Sequence, residues 1–360
     1  MESFHGYIGT YSHREGKRSK GIYYFDLEPQ TGRITVRGWN SEAENPTYLI
    51  FSPDRRYLYA CGSNVSYNRF EGGGVFSFAV QEDHTLRYLD RHTSCSKTPC
   101  HLACDSKNRV VISASYTEGQ VEVHKLGQDG RFLPDRPQVL FHQGTGPVAD
   151  RQERAHAHCV AFAPDGERVL VTDLGADRIF LYRLDGDSLT LAPDGEIPLE
   201  PGAGPRHMVF SRDGRFLYVV TELSNQVYAY RWDFRRAGAA AFQQIQILST
   251  LPEGCRRFSN CAAIRLSPDG RLLFVSNRFT DTVAVFPCDP ATGLLDSPNI
   301  FPLSGKNPRD IQVSPDGKLL LAGFQDSDGI QTFRVDGSNA ALEDAGQACL
   351  LSMPICFLFE

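Results

Sequence analysis

The chain has 360 residues, 41% of them hydrophobic and 22% charged, with a formal net charge of -6. That balance is ordinary for a globular chain and lacks the basic stripe of a nucleic-acid surface. No apolar run approaches the roughly 20 residues that a membrane-spanning helix needs, whereas an anionic small molecule stays open as a partner because a local group of arginines can oppose the global sign.

The start, Met1-Glu2-Ser3-Phe4-His5-Gly6, has neither the basic region nor the apolar stretch of a secretory signal. Ten cysteines diluted in so long a chain read as free thiols, several packed inside strands, and not as a disulfide framework. The expected location is cytoplasmic.

Apolar runs begin near Tyr7 and Ile22, and a turn phrase follows as Ser52-Pro53-Asp54-Arg55. It recurs as Asp105-Ser106-Lys107-Asn108 in a degenerate form, then as Ala163-Pro164-Asp165-Gly166, Ser211-Arg212-Asp213-Gly214, Ser267-Pro268-Asp269-Gly270 and Ser314-Pro315-Asp316-Gly317. Proline presets φ at one corner and glycine accepts a positive φ at another, so each copy predicts a hairpin. The runs after the turns begin near Tyr57, Val110, Val169, Phe216, Leu272 and Leu319, and a further series near Val75, Val121, Ile179, Val227, Val283 and Ile330. With Tyr7 and Ile22 each series has seven members, at a period of roughly 50 residues that indicates a propeller or solenoid. The runs are rich in β-branched and aromatic residues, and no sustained helical period competes with them.

The runs ahead of the turns number only six, starting near Tyr48, Cys100, His158, His207, Ala262 and Asp310. The chain ends in an orphan apolar run, Pro354-Ile355-Cys356-Phe357-Leu358-Phe359. We therefore expect an all-β, seven-bladed β-propeller, one domain over residues 1–360. The C-terminal strand joins the N-terminal blade and closes the ring, leaving no unpaired edge. Trp232-Asp233 is the only Trp-Asp pair, which argues against a WD-repeat protein.

In a blade whose strands run antiparallel from the axis outward, the start of the first strand and the end of the second share one face. The Pro-Asp-Gly turns lie on the other. That rule gathers Asn45-Pro46-Thr47, Pro99-Cys100-His101, His156-Ala157-His158, Gly204-Pro205-Arg206-His207, Asn260 and Asn307-Pro308-Arg309 at one mouth of the channel. Thr10-Tyr11, Asn64, Ser115-Tyr116, Asp173, Glu222, Asn277-Arg278 and Gln325-Asp326 join them. Arginines, histidines and carboxylates converging in a concavity mark an active site. Candidate catalytic residues are His158, Arg206, Glu222 and Arg278; candidate substrate-binding residues are His101, His156, Asp173, His207, Asn277 and Arg309. The quartet is expected in a solvated mouth, where substitution leaves folding almost untouched.

These segments resemble the lactonase family of seven-bladed propellers, which includes propeller-type 6-phosphogluconolactonases and carboxy-muconate cyclases. The resemblance spans the chain and rests on Gly6-Tyr7-Ile8-Gly9-Thr10-Tyr11, Arg151-Gln152-Glu153, His156-Ala157-His158, Asp173-Leu174-Gly175-Ala176-Asp177, Gly204-Pro205-Arg206-His207, Glu222-Leu223, Ser276-Asn277-Arg278 and Asn307-Pro308-Arg309. It implies that His158, Arg206, Glu222 and Arg278 are the active-site set. The chain departs from the family at Ala155, where proline is usual, at Cys61-Gly62-Ser63-Asn64 and at Ser113-Ala114-Ser115-Tyr116.

The resemblance implies hydrolysis of a small anionic sugar lactone, with 6-phosphogluconolactone, a pentose phosphate pathway intermediate, as the leading substrate. His158 or Glu222 would take the proton of water, and Arg206 or Arg278 would stabilise the oxyanion. A carboxy-muconate lactone cyclase and a non-catalytic ligand-binding propeller are the alternatives. No Gly-x-Ser-x-Gly nucleophile elbow is present. His92, Cys95, Cys100, His101 and Cys104 have metal-like spacing, but alternate strand residues face opposite ways, so neither a metal nor any other cofactor is expected.

Overall fold

A computed structural model of the chain describes residues 3–14, 17–63, 73–94, 96 and 99–360. Met1, Glu2, Asn64 and Cys95, named above, lie outside the described residues. Seven four-stranded antiparallel sheets make up a seven-bladed β-propeller, and the one helical element among the described residues is the short 3-10 turn Gly238–Ala241. None of the described helices is long and apolar enough to cross a membrane.

The turn phrase builds its hairpins through its side chains. The Ser267 hydroxyl donates to Asp269 Oδ1 at 2.6 Å and accepts from the amides of Arg271 and Leu272. Gly270 takes a φ of 73°, the left-handed conformation this turn needs. Where the repeat lacks glycine, Arg55 and Asn108 adopt that conformation instead, at 58° and 53°.

Each blade packs both faces against its neighbours. Its second strand is therefore largely buried, in blades three and seven throughout (Val110–Ser115 and Leu319–Phe324), and reads as a continuous apolar run. The outermost strands alternate, as in Leu86–Thr93. The cores lie between blades: Leu170, Ile179 and Leu181 of the fourth blade meet Leu217, Val219 and Tyr228 of the fifth. Each fully buried Leu, Ile or Val contributes about 1.5–3 kcal/mol.

The first sheet is made of Pro354–Phe359, Phe4–Thr10, Ile22–Leu27 and Ile34–Asn40, in that order from the axis. Tyr7 pairs with Leu358 and Ile8 with Phe357, which is the closure expected from the sequence. The innermost strands of successive blades touch in cyclic order around the axis. Asp310, in the innermost strand of the seventh blade, pins the closing strand by accepting the Phe357 amide at 2.8 Å, while its other oxygen takes Arg265 at 2.7 Å.

The described cysteines are free thiols; Cys61, Cys159, Cys261 and Cys356 are buried within strands.

Candidate active site

The innermost strands of blades three, four, five and seven share a local irregularity. Pro99 pairs with Ser115 and His101 with Ala114, which leaves Cys100 as an extra residue. The same slip leaves out His158 between Ala157 and Cys159, Arg206 between Pro205 and His207, and Arg309 between Pro308 and Asp310. A β-bulge re-aims the side chain of its extra residue. Cys100, His158, Arg206 and Arg309 all line one cavity of about 410 Å³ at the mouth where the innermost strands begin. Its wall adds Glu222 and Arg278 from second-strand ends, together with Tyr11, Thr47, Ser63, Tyr116 and Arg151.

Local sequence fixes the position of Arg206. Gly204 has a φ of 62°, and a Cβ there would lie 2.6 Å from Leu223 Cγ, so the turn into this strand needs glycine. Gly204 O accepts the Glu222 amide at 2.7 Å, which sets the carboxylate beside the bulged arginine.

Glu222 is the hub. Its Oε2 accepts from Arg206 Nε at 2.9 Å and from Arg278 Nη2 at 2.7 Å, and its Oε1 pairs with Arg151. Burial alone would raise its pKa, but Arg278, Arg206 and Arg151 outweigh burial and hold the carboxyl far below its ordinary range. Arg206 donates further to Ala262 O at 2.7 Å; burial and then repulsion from Arg278 bring its pKa down to about 10.

His158 sits beside Arg206 with Nδ1 buried and unpartnered. Burial first, and the Arg206 charge second, drive its pKa well below the usual histidine value, so the imidazole is neutral. Arg309 donates to Gln325 Oε1 at 3.0 Å and lies 5.4 Å from the Tyr11 ring centre. Four guanidinium groups and one carboxylate thus line the cavity, which carries a surplus of positive charge in a chain of net negative charge.

This architecture agrees with the comparisons with known proteins. The family model described as "Lactonase, 7-bladed beta-propeller" matches residues 5–359. The chain belongs to this lactonase family. It is 33% identical over 312 residues to the 6-phosphogluconolactonase of Bacillus subtilis strain 168, covering 86% of this chain and 85% of the relative. The crystal structure of a putative 6-phosphogluconolactonase from Bacteroides uniformis superposes with a TM-score of 0.90 at 33% identity, over the full length of both chains. That of the periplasmic gluconolactonase of Pseudomonas aeruginosa does so with a TM-score of 0.91 at 29% identity, over 99% of each.

Of the residues singled out in the sequence, the structure brings His158, Arg206, Glu222, Arg278 and Arg309 to the cavity of this lactonase-family chain. His101, His156, Asp173, His207 and Asn277 are not among its lining residues. His101 and His207 are the strand residues just past a bulge, and both turn into the channel below. There His101 stacks on Tyr48 at 3.8 Å and His207 lies 5.2 Å from both His101 and His158. His156 stacks on Tyr116 and pairs with Glu153 at 3.2 Å. Asp173 is buried against His142 at 2.8 Å and accepts the amides of His156 and Ala176. Asn277 is buried and bonded to Thr250 and Thr282.

The expectation of a solvated mouth is corrected as well. Arg206 and Glu222 are only 2% and 3% exposed, because the arginines close over the carboxylate. Arg151 was visible in the sequence only as part of a motif. It reaches Glu222 from the loop that enters the fourth blade, a loop held by Gln152 bonds to Leu174 O and Asp177 Oδ1. A signal for the lining did exist, since the residues following Pro46, Pro99, Pro205 and Pro308 are Thr47, Cys100, Arg206 and Arg309, all of them in the cavity.

Proposed function

We propose that this cavity hydrolyses a sugar lactone and that 6-phosphogluconolactone is its leading substrate. The observation that carries the reading is geometric: His158, Arg206 and Arg278 line one concavity in which four guanidinium groups outnumber a single carboxylate. The name of the Bacillus subtilis relative supports the choice of substrate.

The chemistry follows from the charges. Water adds to the ring carbonyl carbon while His158 takes its proton: the neutral imidazole has a free nitrogen lone pair, and the negative charge that develops beside it offsets the burial and the Arg206 charge that lower its basicity. Negative charge moves to the carbonyl oxygen, where Arg206 and Arg278 stabilise it. The ring C–O bond then breaks, and the proton on His158 passes to the departing ring oxygen to give the hydroxy acid.

Glu222 is a poor base in this arrangement, because its carboxylate is held ionised and is occupied by three arginines. Its work is to hold like-charged guanidinium groups together at one side of the cavity. Rates of ring opening for a small panel of phosphorylated, carboxylated and neutral sugar lactones test the reading. The phosphorylated lactone should open well above its uncatalysed rate, and a panel in which no member is accelerated would overturn the proposal.

A further inference from the structure

The cavity has two chemically different sides. Blades four to six supply His158, Arg206, Glu222 and Arg278, with Arg151 from the adjoining loop. Arg309 comes from blade seven, next to the blade of Arg278 and three blades from that of His158; its charge is felt by Arg206, Arg278 and His158, and Tyr11 and Ser63 follow on blades one and two.

Arg309 also differs in its partners. Arg151, Arg206 and Arg278 all converge on Glu222. Arg309 donates to the neutral Gln325 side chain and lies over the Tyr11 ring, and no carboxylate among the described residues pairs with it. A half-buried guanidinium has lost part of its hydration without gaining a counter-ion, and an arriving anion supplies one.

We propose that Arg309 forms the subsite for an anionic group, phosphate or carboxylate, carried by the substrate at the end away from its ring carbonyl. This rests on the hydrolysis reading for the reacting side. The lactone then lies with its carbonyl toward His158, Arg206 and Arg278 and its anionic tail toward Arg309. Arg309 is accordingly a specificity residue, and its effect should depend on the charge of the substrate.

The test compares wild type, Arg309→Ala and Arg309→Lys on 6-phosphogluconolactone, glucaro-1,4-lactone (which keeps a free carboxylate) and gluconolactone. Arg309→Ala should lower the ratio of kcat/KM for the phosphorylated over the neutral lactone by about thirtyfold, the usual strength of a charge-assisted hydrogen bond. The loss should fall mainly on KM, and Arg309→Lys should restore part of the ratio. The glucarolactone decides between tails: a parallel fall in its ratio assigns the subsite to carboxylate as well, and no fall assigns it to phosphate alone. An unchanged ratio for both anionic lactones overturns the subsite. If wild type opens no lactone, the hydrolysis reading fails, and calorimetric binding of 6-phosphogluconate decides the subsite. Binding to wild type at least tenfold tighter than to Arg309→Ala upholds it, and equal or absent binding overturns it.

Discussion

At the residue scale, the site is organised by one buried carboxylate. Glu222 joins three guanidinium groups from three places in the chain, and its own backbone bridges Gly204 and Cys261. Glu222→Gln keeps the shape but leaves buried like charges facing a neutral amide, a loss in the range of about 3 kcal/mol for a broken buried pair. Urea unfolding at neutral pH should show it; equal midpoints for variant and wild type would mean that the arginines are held apart by other contacts. The pH dependence has a definite sign. The folded-state pKa of Glu222 is depressed, so its stabilisation is present in full above the unfolded carboxyl pKa of about 4.3 and is lost as pH falls toward the depressed folded value. The stability difference between wild type and Glu222→Gln should shrink accordingly between about pH 5 and pH 2.

At the element scale, the closing strand matters most. Pro354–Phe359 fills the innermost place of the first blade, and Asp310 ties it to the seventh. A chain ending at Met353 exposes the inner edge of Phe4–Thr10 and the apolar faces of Ile8, Phe25 and Leu321 that pack on Phe357 and Phe359. It should lose cooperative thermal unfolding and aggregate, and a truncated chain that melts as wild type does would remove closure from the account. This element was legible in the sequence because six inner runs and one orphan tail leave a single economical pairing. So were the hairpins, whose turn chemistry is local. The bulges were not: a one-residue slip leaves the apolar pattern of the strand intact, yet it decides that Arg206 faces the cavity while His207 faces the channel. Sorting by strand ends alone could not separate these neighbours, nor could it find Arg151, whose contact with Glu222 spans 71 residues and comes from an irregular loop.

At the scale of the whole molecule, the ring is what assembles the site. Its lining residues run from Tyr11 in the first blade to Arg309 in the seventh, and only a closed circle of inner strands brings them around one axis. The net charge of -6 is distributed elsewhere, while the lining of the mouth keeps a positive surplus, a local field opposite to the global sign. Family membership and the match over residues 5–359 place the chain among propeller lactonases. The most direct test is the rate at which wild type and His158→Ala open 6-phosphogluconolactone, measured on samples with matched unfolding transitions. Wild type should exceed the uncatalysed rate, and His158→Ala should fall about a hundredfold in kcat/KM, as loss of a general base does; a His158→Ala protein that opens the lactone at the wild-type rate would contradict the account.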